Sequence, residues 1–152
     1  MPLTKYDVKH ALDPEEPNYT TAASLGPDAL PFLEEFINGA DENLASKAAY
    51  LVGLIRAPRA SEVLIKAAAS PFDVVRIAAA STARHLSAAE ASRVLLSFTG
   101  DRSHGVRKMV LRSAPDAPSA ELVARITDMA RNDPARTLRT RAAEVLQRID
   151  RR

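Results

Sequence analysis

Three histidines and several adjacent acidic pairs are the side chains best suited to chemistry in this 152-residue chain. His10, His85 and His104 fall in separate predicted elements, and none has another histidine at metal-ligand spacing. The chain contains no cysteine, which excludes thiolate metal sites, cysteine nucleophiles and disulfides. We therefore expect ordinary structural or solvent roles for the histidines, and no metal or other cofactor.

The acidic pairs do not form an acid–base dyad. Neighbouring residues on a helix point about 100° apart, so their carboxylates do not converge on one substrate atom. The pairs are Glu15-Glu16, Glu34-Glu35 and Asp41-Glu42. Glycine-flanked nucleophilic serines, phosphate loops and dinucleotide fingerprints are also missing from the sequence. We therefore expect that the protein is not an enzyme.

Composition favours an all-α fold. Hydrophobic residues make up 46% of the chain and aromatic residues only 5%, with no tryptophan. Alanine is abundant, which suits closely packed helices better than sheets rich in aromatic residues. No apolar run approaches the roughly 18 residues of a membrane span, and the N-terminus does not resemble an export signal. A cytoplasmic protein is expected.

A sequence pattern that recurs every 31 to 32 residues predicts the helices on which any functional site would lie. Apolar residues at this period open similar helical patterns, at Leu44, Val75, Val106 and Leu138. Within each unit a first helix, a turn and a second helix carry apolar residues every three to four positions, which traces one helical face. The pattern predicts an α-solenoid of about four antiparallel helix pairs.

Capping residues and prolines locate the helix boundaries. Ser70-Pro71 predicts an N-cap followed by proline in the first helical position, and Asp101 and Asp133 occupy the same repeat slot as Ser70. The predicted helices are 28–38, 42–56, 60–69, 72–86, 88–98, 102–114, 119–131 and 134–150. Residues 18–25 predict an N-terminal half repeat. We expect residues 1–17 to form an extended or loosely docked arm, and 18–152 a single repeat domain.

The second helices carry a family resemblance. The segments Val75 to Ala80, Asp101 to Arg107 and Leu138 to Ala143 resemble the signature of HEAT-like repeats, in which an acid precedes Val-Arg and two alanines. Ala45 departs from it where the arginine belongs. The resemblance implies a right-handed curved stack with the second helices on its concave side. Similar arrays serve as scaffolds, chromophore lyases and DNA glycosylases, so the fold alone does not choose the function.

The arginines of the signature have a structural interpretation. Arg76, Arg107 and Arg139 recur with the repeat, so they are more simply explained as orienting each unit than as binding a partner. We expect each to bond the preceding turn, near Asp73, Asp101 and Asp133 respectively.

The exposed face of the second helices predicts the binding site. It combines aromatic and aliphatic residues with basic ones that differ between repeats, and Tyr and Arg often anchor interfaces. The candidate partner-binding residues are Tyr50, Ile77, Arg84, Lys108 and Arg112. Such a groove suits an acidic or amphipathic segment of another protein.

The net charge of +2 is unevenly distributed and leaves alternatives open. Residues 1–46 contain 2 Lys/Arg and 9 Asp/Glu, whereas residues 47–152 contain 19 and 10. The resulting charges of −7 and +9 permit head-to-tail self-association. The basic segment also permits nucleic-acid binding, with glycosylase-like chemistry as one form of it. The leading hypothesis is a protein-binding scaffold or adaptor.

Overall fold

The structure, a computed structural model, describes residues 2–150, and for Asp150 the backbone only. These residues form ten α-helices and no strand. The helices are α1 Lys5–Leu12, α2 Tyr19–Ala23, α3 Leu30–Ile37, α4 Glu42–Val52, α5 Ala60–Lys66, α6 Asp73–Thr82, α7 Ala88–Leu96, α8 His104–Ser113, α9 Ala120–Asn132 and α10 Arg136–Asp150. Short 3-10 turns precede α3 and follow α5 and α6.

The predicted all-α solenoid is confirmed. The helices pair as α3–α4, α5–α6, α7–α8 and α9–α10. The second helices α4, α6, α8 and α10 pack in succession, as do the first helices α5, α7 and α9. α2 packs on α4 and occupies the predicted half repeat. One continuous apolar core runs from Val8 to Val145. No helix within residues 2–150 is long and apolar enough to cross a membrane.

Residues 5–12 correct the expectation of an extended or loosely docked arm. They form α1, which Thr4 begins with a capping box closed by Asp7. Val8 and Leu12 are fully buried, and α1 packs against α3 and α4. The buried ammonium group of Lys47 donates hydrogen bonds to the carbonyl oxygens of Leu12 (3.1 Å) and Pro14 (2.7 Å). A spacing of four positions, as between Val8 and Leu12, puts both side chains on one face of a short helix.

Ser70 also differs from its predicted role. It is not an N-cap, because α6 begins only at Asp73. Its hydroxyl instead accepts a hydrogen bond from the Phe72 amide, two residues along. The carboxylates of Asp101 and Asp133 accept equivalent bonds, from Ser103 and Ala135. The side chain at this repeat position therefore stabilises the turn before each second helix and does not cap the helix itself.

The signature arginines join consecutive repeats through what we call the arginine ladder, the ion pairs Arg76–Asp101 and Arg107–Asp133. Each guanidinium donates from Nε to a carboxylate oxygen at 2.9 Å, with Nη2 near the other oxygen. Both pairs are almost fully buried, with side-chain exposures of 2% and 7% in the first and 12% and 2% in the second. Asp73 is therefore not the partner of Arg76.

Each ladder arginine also bonds the turn before its own helix, as expected. Nη1 of Arg76 donates to the Ser70 carbonyl oxygen and Nη1 of Arg107 to that of Asp101, both at 2.9 Å. Nη1 of Arg139 donates to the Asp133 carbonyl oxygen at 2.7 Å. The structural interpretation of the three arginines is confirmed, with carboxylate partners one repeat further along for Arg76 and Arg107.

Removing a ladder carboxylate should strongly destabilise the fold. Asp101→Ala leaves the buried Arg76 guanidinium charged and without its carboxylate, so we expect a loss of about 3 kcal/mol or more in urea unfolding. Asp73→Ala is the matched control, because Asp73 is exposed and should cost below about 1 kcal/mol. Equal losses in the two variants would contradict the ladder.

The N-terminal helix should contribute to stability in the same assay. Leu12→Ala removes a fully buried side chain and should cost about 2–5 kcal/mol, because it opens a cavity between α1 and α4. Tyr6→Ala is the control on the same helix, since Tyr6 is 73% exposed. An unchanged unfolding midpoint for Leu12→Ala would mean that α1 is not docked in solution.

Candidate functional site

The second helices α4, α6, α8 and α10 pack side by side, and their exposed side is called here the second-helix face. It carries the five residues predicted from the sequence. Tyr50, Ile77 and Lys108 are half-buried, whereas Arg84 and Arg112 are exposed. None of the five is a core residue, so all five are available to a partner.

A close approach of α4 and α6 sets the geometry of this face. A Cβ atom placed on Gly53 would overlap the side chain and carbonyl oxygen of Thr82. The Thr82 hydroxyl donates a 2.6 Å hydrogen bond to the carbonyl oxygen of Tyr50. Glycine is needed here for contact between helices, because its backbone angles are ordinary for a helix end. The contact brings Tyr50 beside the residues that follow α6.

Tyr50, Arg84 and His85 form a hydrogen-bonded cluster. Nη2 of Arg84 donates to the Tyr50 hydroxyl oxygen at 3.2 Å. The same hydroxyl lies 3.2 Å from Nε2 of His85 and can donate its proton there when that nitrogen is unprotonated. The Tyr50 and His85 rings meet edge to face at 5.9 Å. Tyr50 and Arg84, both predicted as site residues, are therefore in direct contact.

The electrostatics of the cluster favour the neutral imidazole. Burial lowers the pKa of His85, and the positive charge of Arg84 lowers it further. On the other side of Tyr50, the Tyr19 ring packs at 4.8 Å between centroids. Burial raises the pKa of Tyr19, with a smaller contribution from Tyr50. The lowered pKa of His85 therefore favours a neutral imidazole beside the Arg84 cation.

An apolar pocket of about 280 Å³ adjoins the cluster. Tyr19 and Tyr50 form one wall, and Val74, Ile77 and Ala78 of α6 form another. Val74 is 39% exposed, which is unusual for a large apolar residue in this chain. The pocket can take an apolar side chain of a partner between two aromatic rings and an aliphatic surface.

Basic residues dominate the other end of the face. A second pocket of about 320 Å³ is lined by Arg112, Arg141 and Arg148, with Glu144 as its acidic residue. Arg148 is partly engaged, because it donates to the Ala114 carbonyl oxygen at 3.1 Å. Arg112 and Arg141 are exposed and make no side-chain hydrogen bond within residues 2–149. This end can therefore receive carboxylates.

The structure thus groups the predicted residues into two regions. Tyr50 and Ile77 line the apolar pocket, with Arg84 bonded to Tyr50, and Arg112 lines the basic pocket. Lys108 lines neither of these two pockets. Sequence reasoning missed Tyr19 and His85. The aromatic side chain of Tyr19 in the half repeat could have indicated a role at the site. His85 gave no such signal, because it lies 35 residues from Tyr50 in the sequence.

The described part of the chain contains no group of side chains arranged to bind a metal ion. No three His, Cys, Asp or Glu side chains there lie close enough to hold an ion. The arrangement is suited to binding through aromatic, apolar and cationic contacts.

Comparison with known proteins agrees with this architecture. A family model described as HEAT repeats matches residues 61–147, which is more than half of the chain. The chain belongs to the HEAT repeat family. A comparison with curated proteins gave no match.

A solved structure shares the fold of this HEAT repeat protein. The structure of the complex of CpcE and CpcF of phycocyanin lyase, from Nostoc sp. PCC7120, matches with a TM-score of 0.69 and 22% sequence identity. The match covers 93% of this chain and 96% of the other. At this identity the likeness shows the fold only.

The Tyr50–Arg84–His85 cluster should be visible in an NMR titration of this HEAT repeat protein. We expect the pKa of His85 to lie below its ordinary value of about 6.5. Arg84→Gln should raise it only partway, because burial is the larger cause. Because the folded state favours neutral His85, this residue contributes its full share to the free energy of unfolding above about pH 6.5. That contribution is lost as the pH falls and the imidazole becomes protonated.

Arg112→Gln removes another exposed cation from the same face and is the matched control. It should leave the His85 midpoint unchanged, because Arg112 lies outside the cluster. A His85 midpoint at or above about 6.5 would contradict the partial desolvation of the imidazole beside Arg84.

Proposed function

We propose that this HEAT repeat protein is a non-enzymatic scaffold or adaptor that binds an acidic or amphipathic segment of another protein on its second-helix face. The observation that carries the proposal is the combination on one face of an apolar pocket, walled by Tyr19 and Tyr50, and exposed basic side chains. A segment with an apolar anchor and nearby carboxylates complements both regions.

The energetics of such contacts favour a modest, specific interaction. The aromatic walls of the pocket are already packed on each other, so an incoming side chain would order few additional groups. The exposed arginines would mainly attract and orient the acidic part of the segment, since rim charges change association rates more than affinity. A chain of the solved complex of CpcE and CpcF shares this fold, which supports a protein as the partner.

A displayed library of 16-residue peptides tests the proposal against the full chain. We expect the enriched peptides to combine aromatic or aliphatic residues with Asp and Glu. Charge reversal by Arg84→Glu, Lys108→Glu and Arg112→Glu together should weaken their binding by about tenfold or more, because it replaces attraction with repulsion. Binding is measured by fluorescence anisotropy, and circular dichroism and thermal melting check the fold.

The control reverses three exposed cations away from this face, by Arg93→Glu, Arg102→Glu and Arg125→Glu. It makes the same change in net charge and should leave peptide affinity within about twofold, apart from long-range effects that salt screens. Equal losses in the two triple variants would refute a specific site. Salt-dependent binding to duplex DNA without any enriched peptide would favour the nucleic-acid alternative.

A further inference from the structure

The surface of α9 and α10 that faces away from the stack is exposed, whereas the equivalent surfaces of the earlier helix pairs are buried. At the repeat position of Ala143, the earlier residues Ala49, Ala80 and Leu111 are at most 2% exposed, because the next pair covers them. Ala143 itself is exposed. The face formed by Val123, Thr127, Arg139 and Ala143 is called here the end face.

Arg139 on this face is arranged like the two ladder arginines. Its Nη1 donates to the carbonyl oxygen of the preceding turn, as Nη1 does in Arg76 and Arg107. In those two residues Nε and Nη2 hold an aspartate of the next repeat. Within residues 2–149 no carboxylate lies within ion-pair distance of Arg139. The guanidinium is therefore already oriented to receive a carboxylate.

The ladder itself indicates what kind of group fits there. Its members occur or are missing as pairs: Ala45 replaces the arginine of the first repeat, and Ser70 replaces the aspartate that would face it. In the following repeats Arg76 meets Asp101 and Arg107 meets Asp133. An arginine at this position thus goes with an aspartate in the turn of the next helix pair.

A second copy of this chain lacks the matching surface. At the other end of the stack, the slot equivalent to Asp101 is Gly39, which has no carboxylate. In addition, α1 packs on α3 and α4 there, with Leu12 fully buried. Head-to-tail stacking would therefore leave Arg139 without its ladder partner. No helix pair among residues 2–150 completes the ladder at Arg139.

We propose that the end face is a docking surface for a helix pair of the same repeat type on another polypeptide, whose inter-helix turn presents an aspartate to Arg139. The partner's apolar side chains would pack on Val123 and Ala143, and its aspartate would extend the arginine ladder by one step. This surface is separate from the second-helix face and fixes the partner's register as the internal repeats fix theirs.

An extra repeat fused to the chain tests whether the end face accepts such a pair. Val145 lies 32 residues after Ser113, so residues 1–145 followed by a copy of residues 114–150 continue the repeat in frame. The copied Asp133 then reaches the position that faces Arg139. We expect a higher Tm than in the parent chain, by about 5 °C or more.

Substituting Arg139 shows whether this gain in Tm depends on its contact with the added helix pair or only on its bonds within its own repeat. Arg139→Gln and Arg93→Gln are each made in both the parent and the extended chain, and the gain in Tm is compared. Arg139→Gln, or Asp133→Asn in the copy only, should remove most of the gain. Arg93→Gln, on the exposed side of α7, should leave it unchanged. An absent gain, or one insensitive to Arg139, would overturn the proposal.

A photo-crosslinking residue at Ala143 tests the partner in cells that naturally make the protein. The expected adduct joins Ala143 to a helix pair of another protein that carries an aspartate in its turn, and Arg139→Gln should abolish it, whereas Arg93→Gln should not. Adducts with a second copy of this chain would identify a different occupant. That result, adducts with unrelated segments, or no adduct at all would each overturn the proposal.

Discussion

The buried pairing of arginine with aspartate is the constraint on which this stack depends. A guanidinium that is 2% exposed is tolerated only when its donors are satisfied, and Arg76 meets this condition by bonding both its own turn and the Asp101 carboxylate of the next repeat. Because a displaced pair would leave a buried charge without its partner, the second, third and fourth helix pairs have one favourable register. The apolar contacts alone would permit small slips between α-helices of similar pattern.

The second-helix face depends on a different contact, because Ala45 and Ser70 replace the ladder pair between the first two repeats. There the Thr82 hydroxyl donates to the Tyr50 carbonyl oxygen and holds α6 against α4. Tyr50 and Arg84 lie 34 residues apart in the sequence, yet they share a hydrogen bond because α6 is fixed against α4. The overlap that any side chain at Gly53 would make with Thr82 shows how little space separates the two helices. Small displacements would separate the tyrosine hydroxyl from both the arginine and the histidine. The site is therefore a product of repeat stacking rather than of any single repeat.

Local signals predicted the elements well and the contacts between them less well. The period of 31 to 32 residues gave the four helix pairs and the half repeat, because each unit repeats the same apolar face. Capping preferences marked the turns, although Ser70 bonds the Phe72 amide and lies three residues before α6 begins. The structure of the N-terminal segment was predicted wrongly because its prolines were given more weight than the spacing of Val8 and Leu12. These two buried residues lie about one helical turn apart, on the same face of α1. The partner of Arg76 was misassigned because Asp73 is nearer in sequence than Asp101.

The sequence by itself determined the helical class, the repeat and which residues of each second helix avoid the core, since these depend on spacing along one helix. It did not determine which side chains of different repeats meet. Tertiary structure decided that Tyr50 contacts Tyr19, Arg84 and His85, and that Arg107 bonds Asp133 in the following repeat. Such contacts depend on the offset and separation of packed helices, which the spacing of residues within one helix does not encode.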